Sequence, residues 1–247
     1  MSIQSPHDLD HLRRVGRIVA AVLEQLKSEL RPGMSTADVD RRCAELLAAR
    51  SARSAPRLFY DFPGSICISV NDEAVHGVPS DRVIRAGDLV KLDLVVEQDG
   101  YIADAAITVA VPPVSERHRA LAKCARRAFE RALEVIQAGR RIQDVSRAIE
   151  SEVRRSGFSV IRELGGHGVG RAIHEEPTIP NYVETRDRRV LTDGLVIAVE
   201  PIIAAGAGTV FEADDGWTMK TTDGSFSAHY EHSLVVTRGR PILLTAI

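Results

Sequence analysis

A near-repetition dominates the chain. Ala74-Val75-His76-Gly77-Val78-Pro79 returns as Ala172-Ile173-His174-Glu175-Glu176-Pro177. Each copy precedes a turn and an apolar run carrying an acid: Ala86-Gly87-Asp88-Leu89-Val90-Lys91-Leu92-Asp93, then Thr192-Asp193-Gly194-Leu195-Val196-Ile197-Ala198-Val199-Glu200. In both runs the acid stands six residues after the glycine. The repeat extends upstream. Ser5-Pro6-His7-Asp8 reads as a helix start, with a cap, a proline at the first helical position and an acid in the first turn. Leu9, Leu12, Val15, Ile18, Val19, Val22, Leu23 and Leu26 continue it at helical spacing. Beyond Arg31-Pro32-Gly33 a second helix opens at Ser35-Thr36-Ala37-Asp38 and runs to about Arg50. The pair recurs as a long helix from Ser115 to about Ala138 and a shorter one from about Gln143 to Arg155, stopped by Gly139 and Gly157.

Strands are expected after each helix pair: Ile66 to Val70, Leu89 to Val96 and Tyr101 to Val109, then Ser159 to Arg162, Leu195 to Ile203 and His232 to Val236. A solenoid needs about three repeats for a continuous core, so two copies predict a closed, pseudo-symmetric α/β domain instead. No linker or low-complexity tract divides the chain. One domain over 1–247 is expected, with halves of about 1–112 and 113–247.

Composition excludes several classes. A net charge of -2 gives no general case for nucleic acid or an anionic membrane. The cysteines Cys43, Cys67 and Cys124 show no CxxC spacing, which argues against a disulfide framework or a zinc knuckle. No apolar run approaches the roughly 18 residues of a membrane span, and the N-terminus lacks the basic and apolar regions of a signal peptide. The expected location is the cytoplasm.

The acids carry the chemistry. Asp93 and Asp104 lie on two strands joined around Glu97-Gln98-Asp99-Gly100, and a symmetric hairpin sets them directly opposite each other. Like charges there destabilise a sheet, so either one is protonated or a cation lies between them; a solvated acid on an edge strand is the plainer alternative. Gly165-Gly166-His167-Gly168-Val169-Gly170 reads as a glycine-rich turn that lets an imidazole point into a site; no phosphate-loop signature accompanies it. Glu200 closes an apolar strand and Glu231 opens another. Four carboxylates and one histidine in a cleft need about two divalent cations for charge balance, and that donor set suits Mn, Fe or Co, with Zn an alternative.

These motifs, in this order, resemble the bacterial-type (type I) methionine aminopeptidases over nearly the whole chain. The resemblance rests on Ser69-Val70-Asn71-Asp72-Glu73-Ala74-Val75-His76-Gly77-Val78-Pro79, Lys91-Leu92-Asp93-Leu94, Gly166-His167-Gly168-Val169-Gly170 with His174-Glu175-Glu176-Pro177, Val199-Glu200-Pro201 and Tyr230-Glu231-His232. It implies the duplicated pita-bread (creatinase/aminopeptidase) fold, with helices covering a curved, mostly antiparallel sheet. It makes Asp93, Asp104, His167, Glu200 and Glu231 ligands of two divalent ions (Co, Mn, Fe or Zn). It also makes His76, His174 and Glu200 catalytic, the two histidines flanking the scissile peptide bond. The pocket for the methionine side chain would be Phe59, Phe62, Cys67, Ile173 and Trp217, and Asn71 and Ser227 resemble positions holding a monovalent cation. The implied reaction removes the first methionine from peptides and nascent chains with a small second residue, carried out by a monomer that could meet its substrates at the ribosome.

Some positions depart from the family. Ile173 stands where an aromatic is common, Ala103 where glycine commonly precedes the acid at Asp104, Val95 where a hydroxyl is common, and Pro56 near the place of a pocket cysteine. These bear on the preferred first residue. Alternatives are an altered first-residue specificity, an Xaa-Pro peptidase of the same fold, and a non-catalytic peptide-binding member.

Overall fold

Helices form where the leucine and valine spacing coincides with capping residues. In the computed structural model, which describes residues 1–246, the Ser5 hydroxyl accepts from the Asp8 amide and Asp8 accepts from the Ser5 amide, starting α1 (Pro6–Glu29). The same reciprocal box, Ser35 with Asp38, starts α2 (Thr36–Ala48). Then follow β1 (Arg53–Ser54), α3 (Ala55–Tyr60), β2 (Cys67–Val70), β3 (Glu73–Val75), β4 (Leu89–Gln98) and β5 (Tyr101–Ala110). The second helix pair is α4 (Glu116–Val135), capped by Ser115, and α5 (Ile142–Arg155). After it come β6 (Ser159–Val160), β7 (Gly165–Gly168), β8 (Glu175–Pro180), β9 (Val196–Val199) and β10 (Ile202–Ala204). The chain ends in β11 (Val210–Glu212), β12 (Met219–Thr221), β13 (Ser227–His229), β14 (Glu231–Val235) and β15 (Ile242–Leu243). Gly33 and Gly139, at matching places between the helices of each pair, both take a left-handed φ (93° and 91°), which only glycine adopts freely.

Each helix pair covers its own apolar cluster. Leu12, Val19, Leu23, Val39 and Leu47 pack on Leu92, Leu94, Val96 and Ile102. Leu121, Phe129, Val145 and Ile149 pack on Ile197, Val199 and Leu234. Burying each of the larger aliphatic or aromatic side chains contributes about 1.5–3 kcal/mol. Both helix pairs cover the same face of a nine-stranded sheet ordered β1-β4-β5-β14-β9-β7-β8, with β2 added on β4 and β15 on β14. Its pairings are antiparallel. Two three-stranded sheets, β13-β10-β6 and β11-β12-β3, stand beside it.

Three sequence expectations change. The hairpin between β4 and β5 turns on Asp99-Gly100, both at positive φ (54° and 79°), the two-residue turn that Asp-Gly favours. Its centre therefore lies one residue beyond the expected one, and Asp93 faces Ala106 while Asp104 faces Val95. The two acids are diagonal neighbours on one face, not directly opposed. Second, the run from Leu195 to Ile203 is broken at Glu200-Pro201, where the chain leaves the large sheet (β9) for a small one (β10); Pro201 has no N–H to continue the ladder. Tyr230 marks the reverse crossing from β13 to β14. His232 pairs with Val199 and Ile202 with His229, so Glu231 comes to lie opposite Glu200 at this corner.

Third, the glycines around His167 form a strand, not a turn: β7 lies between β9 and β8. They are there for closeness. A Cβ on Gly166 would stand 2.3 Å from the Ala198 carbonyl oxygen, and one on Gly168 would stand 2.4 Å from that of Glu176. Gly166→Ala should cost about 3 kcal/mol, read as a lowered denaturant midpoint with an unchanged slope.

Candidate metal centre

Five neighbouring strands of the large sheet each deliver one polar side chain to the same place. Asp93 comes from β4, Asp104 from β5, Glu231 from the start of β14, Glu200 from just past β9 and His167 from β7. Strand alternation aims them to one face. The His167 Nε2 lies 3.4 Å from Glu200 Oε1 and 3.9 Å from Asp104 Oδ2. Its Nδ1–H donates to the Gly168 carbonyl at 2.9 Å, which leaves the Nε2 lone pair facing the acids.

His229, which sequence reasoning passed over, joins them. It is 1% exposed, and its Nε2 lies 3.3 Å from Glu231 Oε2 and 3.6 Å from Glu200 Oε2. Two triads result, Asp104-His167-Glu231 and Glu200-His229-Glu231, each with its ligand atoms within 4.8 Å of one another. The available signal was its spacing, two residues before Glu231.

The cluster fits divalent cations. Asp104 Oδ1, Glu231 Oε1 and both His229 nitrogens are buried without a hydrogen-bond partner, and such orphaned groups are costly unless something satisfies them. Burial first, then repulsion from the neighbouring acids, holds the Asp104, Glu200 and Glu231 carboxyls well above the usual carboxylate range. Burial also raises Asp93, against an opposing pull from His229. The same burial pushes His167 and His229 down to about 4, so both are neutral donors at physiological pH. Oxygen and imidazole donors of this kind suit divalent transition ions.

Above the cluster opens a cavity of about 250 Å³. Cys67, Phe62, Ile173, Trp217, Pro56 and Val95 give it apolar walls, and His76, Tyr60 and His174 line it as well. Phe62 meets the Trp217 ring edge-on at 5.2 Å. Burial and Asp93 push the Cys67 thiol up, so it stays an uncharged apolar wall. Phe59 is a correction: it is 52% exposed and does not line the cavity. Its neighbour Tyr60 does, because consecutive residues of the short α3 point about 100° apart. Tyr60 stacks on His174, with its hydroxyl 3.0 Å from His174 Nδ1. His76 holds a left-handed φ of 56°, a strained state for a non-glycine residue that clusters at functional sites. Glu175 fixes the His174 loop by accepting from the Arg171 and Ala172 amides and pairing with the Met1 amino group.

The residues expected at a monovalent cation, Asn71 of the first half and Ser227 of the second, meet beside Lys91. The Asn71 and Ser227 carbonyls are joined by Lys91, whose Nζ donates to them at 2.8 and 3.5 Å.

The chain is similar to known metallopeptidases. Residues 10–238 match the model of metallopeptidase family M24. Methionine aminopeptidase 2 of Bacillus subtilis is 43% identical, with all of both chains covered. The crystal structure of a methionine aminopeptidase from Thermotoga maritima superposes with a TM-score of 0.96 at 35% identity over all of both chains. An Xaa-Pro dipeptidase from Bacillus anthracis shares the fold, with a TM-score of 0.79 at 23% identity over 98% of this chain and 61% of that one. The chain has the pita-bread fold and belongs to metallopeptidase family M24, among its methionine aminopeptidases.

Proposed function

We propose that the protein is a metal-dependent aminopeptidase that removes the N-terminal methionine from peptides and nascent chains whose second residue is small. The observation that carries this reading is the buried acid-histidine cluster forming the floor of an apolar pocket. Residues 1–247 act as one catalytic domain whose two halves, about 1–112 and 113–247, close on the cleft. Asp93, Asp104, His167, Glu200 and Glu231 would hold two divalent ions of the Mn, Fe, Co or Zn class, with His229 beside Glu200 and Glu231 as a further nitrogen donor. Bound there, such ions acidify water and polarise a carbonyl.

The chain's own side chains do the rest. The apolar pocket takes the thioether side chain, and the free amine points to the carboxylates, which confines cleavage to the first residue. If the Tyr60 hydroxyl donates to His174 Nδ1, the proton of that imidazole sits on Nε2, where it can donate to the scissile carbonyl oxygen as negative charge develops. Glu200, whose burial favours the protonated form in the metal-free site, would be ionised once the ions displace that proton; the carboxylate then accepts the proton of the attacking water and returns it to the leaving amine. His76 contacts the backbone amide of the second residue.

His174→Ala should lower kcat about 10²–10³-fold while leaving metal content and the unfolding midpoint unchanged. Tyr60→Phe should give a smaller loss in kcat. Methionine release from Met-Ala-Ser, set against hydrolysis of Ala-Pro, tests the substrate class; cleavage confined to Ala-Pro would place the protein with the Xaa-Pro peptidases. That alternative is not favoured, because this chain is 43% identical to a methionine aminopeptidase and 23% identical to the Xaa-Pro dipeptidase.

A further inference from the structure

We infer that the Lys91 ammonium is a built-in replacement for a monovalent cation between the Asn71 loop and β13. Lys91 is 1% exposed and among the largest fully buried side chains. A buried ammonium is costly unless acceptors surround it, and here they are main-chain oxygens. Asn71 takes a left-handed φ of 60°, and its carbonyl accepts from Lys91 Nζ at 2.8 Å and from the Ser227 amide at 2.9 Å. The Ser227 carbonyl lies 3.5 Å from the same Nζ, while the Ser227 hydroxyl can donate to the Glu73 carbonyl at 3.0 Å.

Carbonyl oxygens from separate segments around one positive charge are what Na⁺ or K⁺ would use. With Nζ already on the Asn71 and Ser227 oxygens, a second cation would have to share their lone pairs and fit beside the buried side chain, and while Lys91 is protonated it would also meet like charge at contact distance. The residues therefore do not fit a bound monovalent ion. What the ammonium does instead is structural. It ties β4, two residues before Asp93, to the Asn71 loop that leads through β3 to His76, and to β13, which leads to His229 and Glu231. This inference goes beyond the peptidase reading and does not depend on it.

The test compares NaCl, KCl and choline chloride at equal ionic strength, using the divalent-loaded protein. The unfolding midpoint and the ²³Na linewidth are measured for the wild type, Lys91→Ala and Lys91→Met. The wild type should show the same midpoint in all three salts, to within about 1 °C, and no Na⁺ line broadening. Lys91→Ala, which frees the carbonyls and opens space, should be destabilised in choline chloride. It should regain about 2–4 °C in NaCl or KCl, the response of a chain of this size to roughly 1 kcal/mol, and should broaden the Na⁺ line. Lys91→Met, which fills the space without a charge, should be destabilised in every salt. Specific stabilisation of the wild type by Na⁺ or K⁺ would overturn the inference, and so would a Lys91→Ala protein as stable as wild type in choline chloride. If Lys91→Ala does not fold in choline chloride but folds in NaCl or KCl, the inference holds. If it folds in none, the wild-type measurements decide.

Discussion

Replacing Asp104 with asparagine should cut peptide hydrolysis on the order of 10³-fold and, in metal-free protein, raise stability. Asp104 is 4% exposed, and burial together with Glu231 and Asp93 holds its carboxyl well above the ordinary range. Each unit of such a rise costs the ionised folded state about 1.4 kcal/mol. An amide of the same shape removes that charge and can donate to a neighbouring acid. The metal-free midpoint should therefore rise by about 2–4 °C. Without the carboxylate, the Asp104-His167-Glu231 triad loses a ligand, and kcat/KM should fall on the order of 10³-fold, the loss of several kcal/mol of transition-state stabilisation. Metal content should fall with it. A variant that keeps both activity and metal would show that Asp104 is no ligand.

The second large effect is the stabilisation by divalent metal and its dependence on pH. At about 100 times its dissociation constant, an ion that binds only the folded state contributes about 2.7 kcal/mol, a midpoint rise of about 5–10 °C. The sign of the pH dependence follows from the site. Asp104, Glu200 and Glu231 are raised in the folded state. Their contribution to stability is thus complete below the ordinary carboxylate range and is lost as pH rises through the raised values. His167 and His229, depressed to about 4, behave in the opposite way. Their contribution is present above the usual imidazole value near 6.5 and lost as pH falls through about 4. Between pH 6 and 8 both stay neutral, so the protons a metal must displace are those on the carboxyls. The metal-induced rise in midpoint should accordingly be larger at pH 8 than at pH 6, by about 1.4 kcal/mol per pH unit for each proton displaced. Scanning calorimetry with and without metal measures it. An increment that does not grow with pH would mean the acids are ionised before metal arrives.

Much of this site was legible because carboxylates stand out in apolar strands. Asp93, Glu200 and Glu231 interrupt runs that otherwise bury completely, and Ser5-Asp8 and Ser35-Asp38 announced their helices through local capping chemistry alone. What was not legible depended on phase or on long-range pairing. The Asp99-Gly100 turn moved the hairpin centre by one residue and turned two opposed acids into diagonal neighbours. The opposition expected there occurs between Glu231 and Glu200, which are 31 residues apart in sequence and meet only in the folded sheet. Tyr60 lines the cavity where the family resemblance implied Phe59; a six-residue helix gives too few turns for its facing to be read from the sequence. His229 looked like any polar strand residue until the chain's crossing at Tyr230 placed it under two acids. Lys91 read as one more charge beside a motif; that it is buried on two main-chain carbonyls follows only from the meeting of β4, the Asn71 loop and β13.

The most direct measurement titrates metal-free protein with Mn²⁺, Fe²⁺ or Co²⁺ and follows free methionine released from Met-Ala-Ser. Methionine should be absent without metal, rise with added ion and plateau by two equivalents per chain, with release from the Asp104→Asn variant slower on the order of 10³-fold at every loading. Methionine release that is unchanged by full chelation, or a loaded protein that releases none, would contradict a metal-dependent methionyl aminopeptidase.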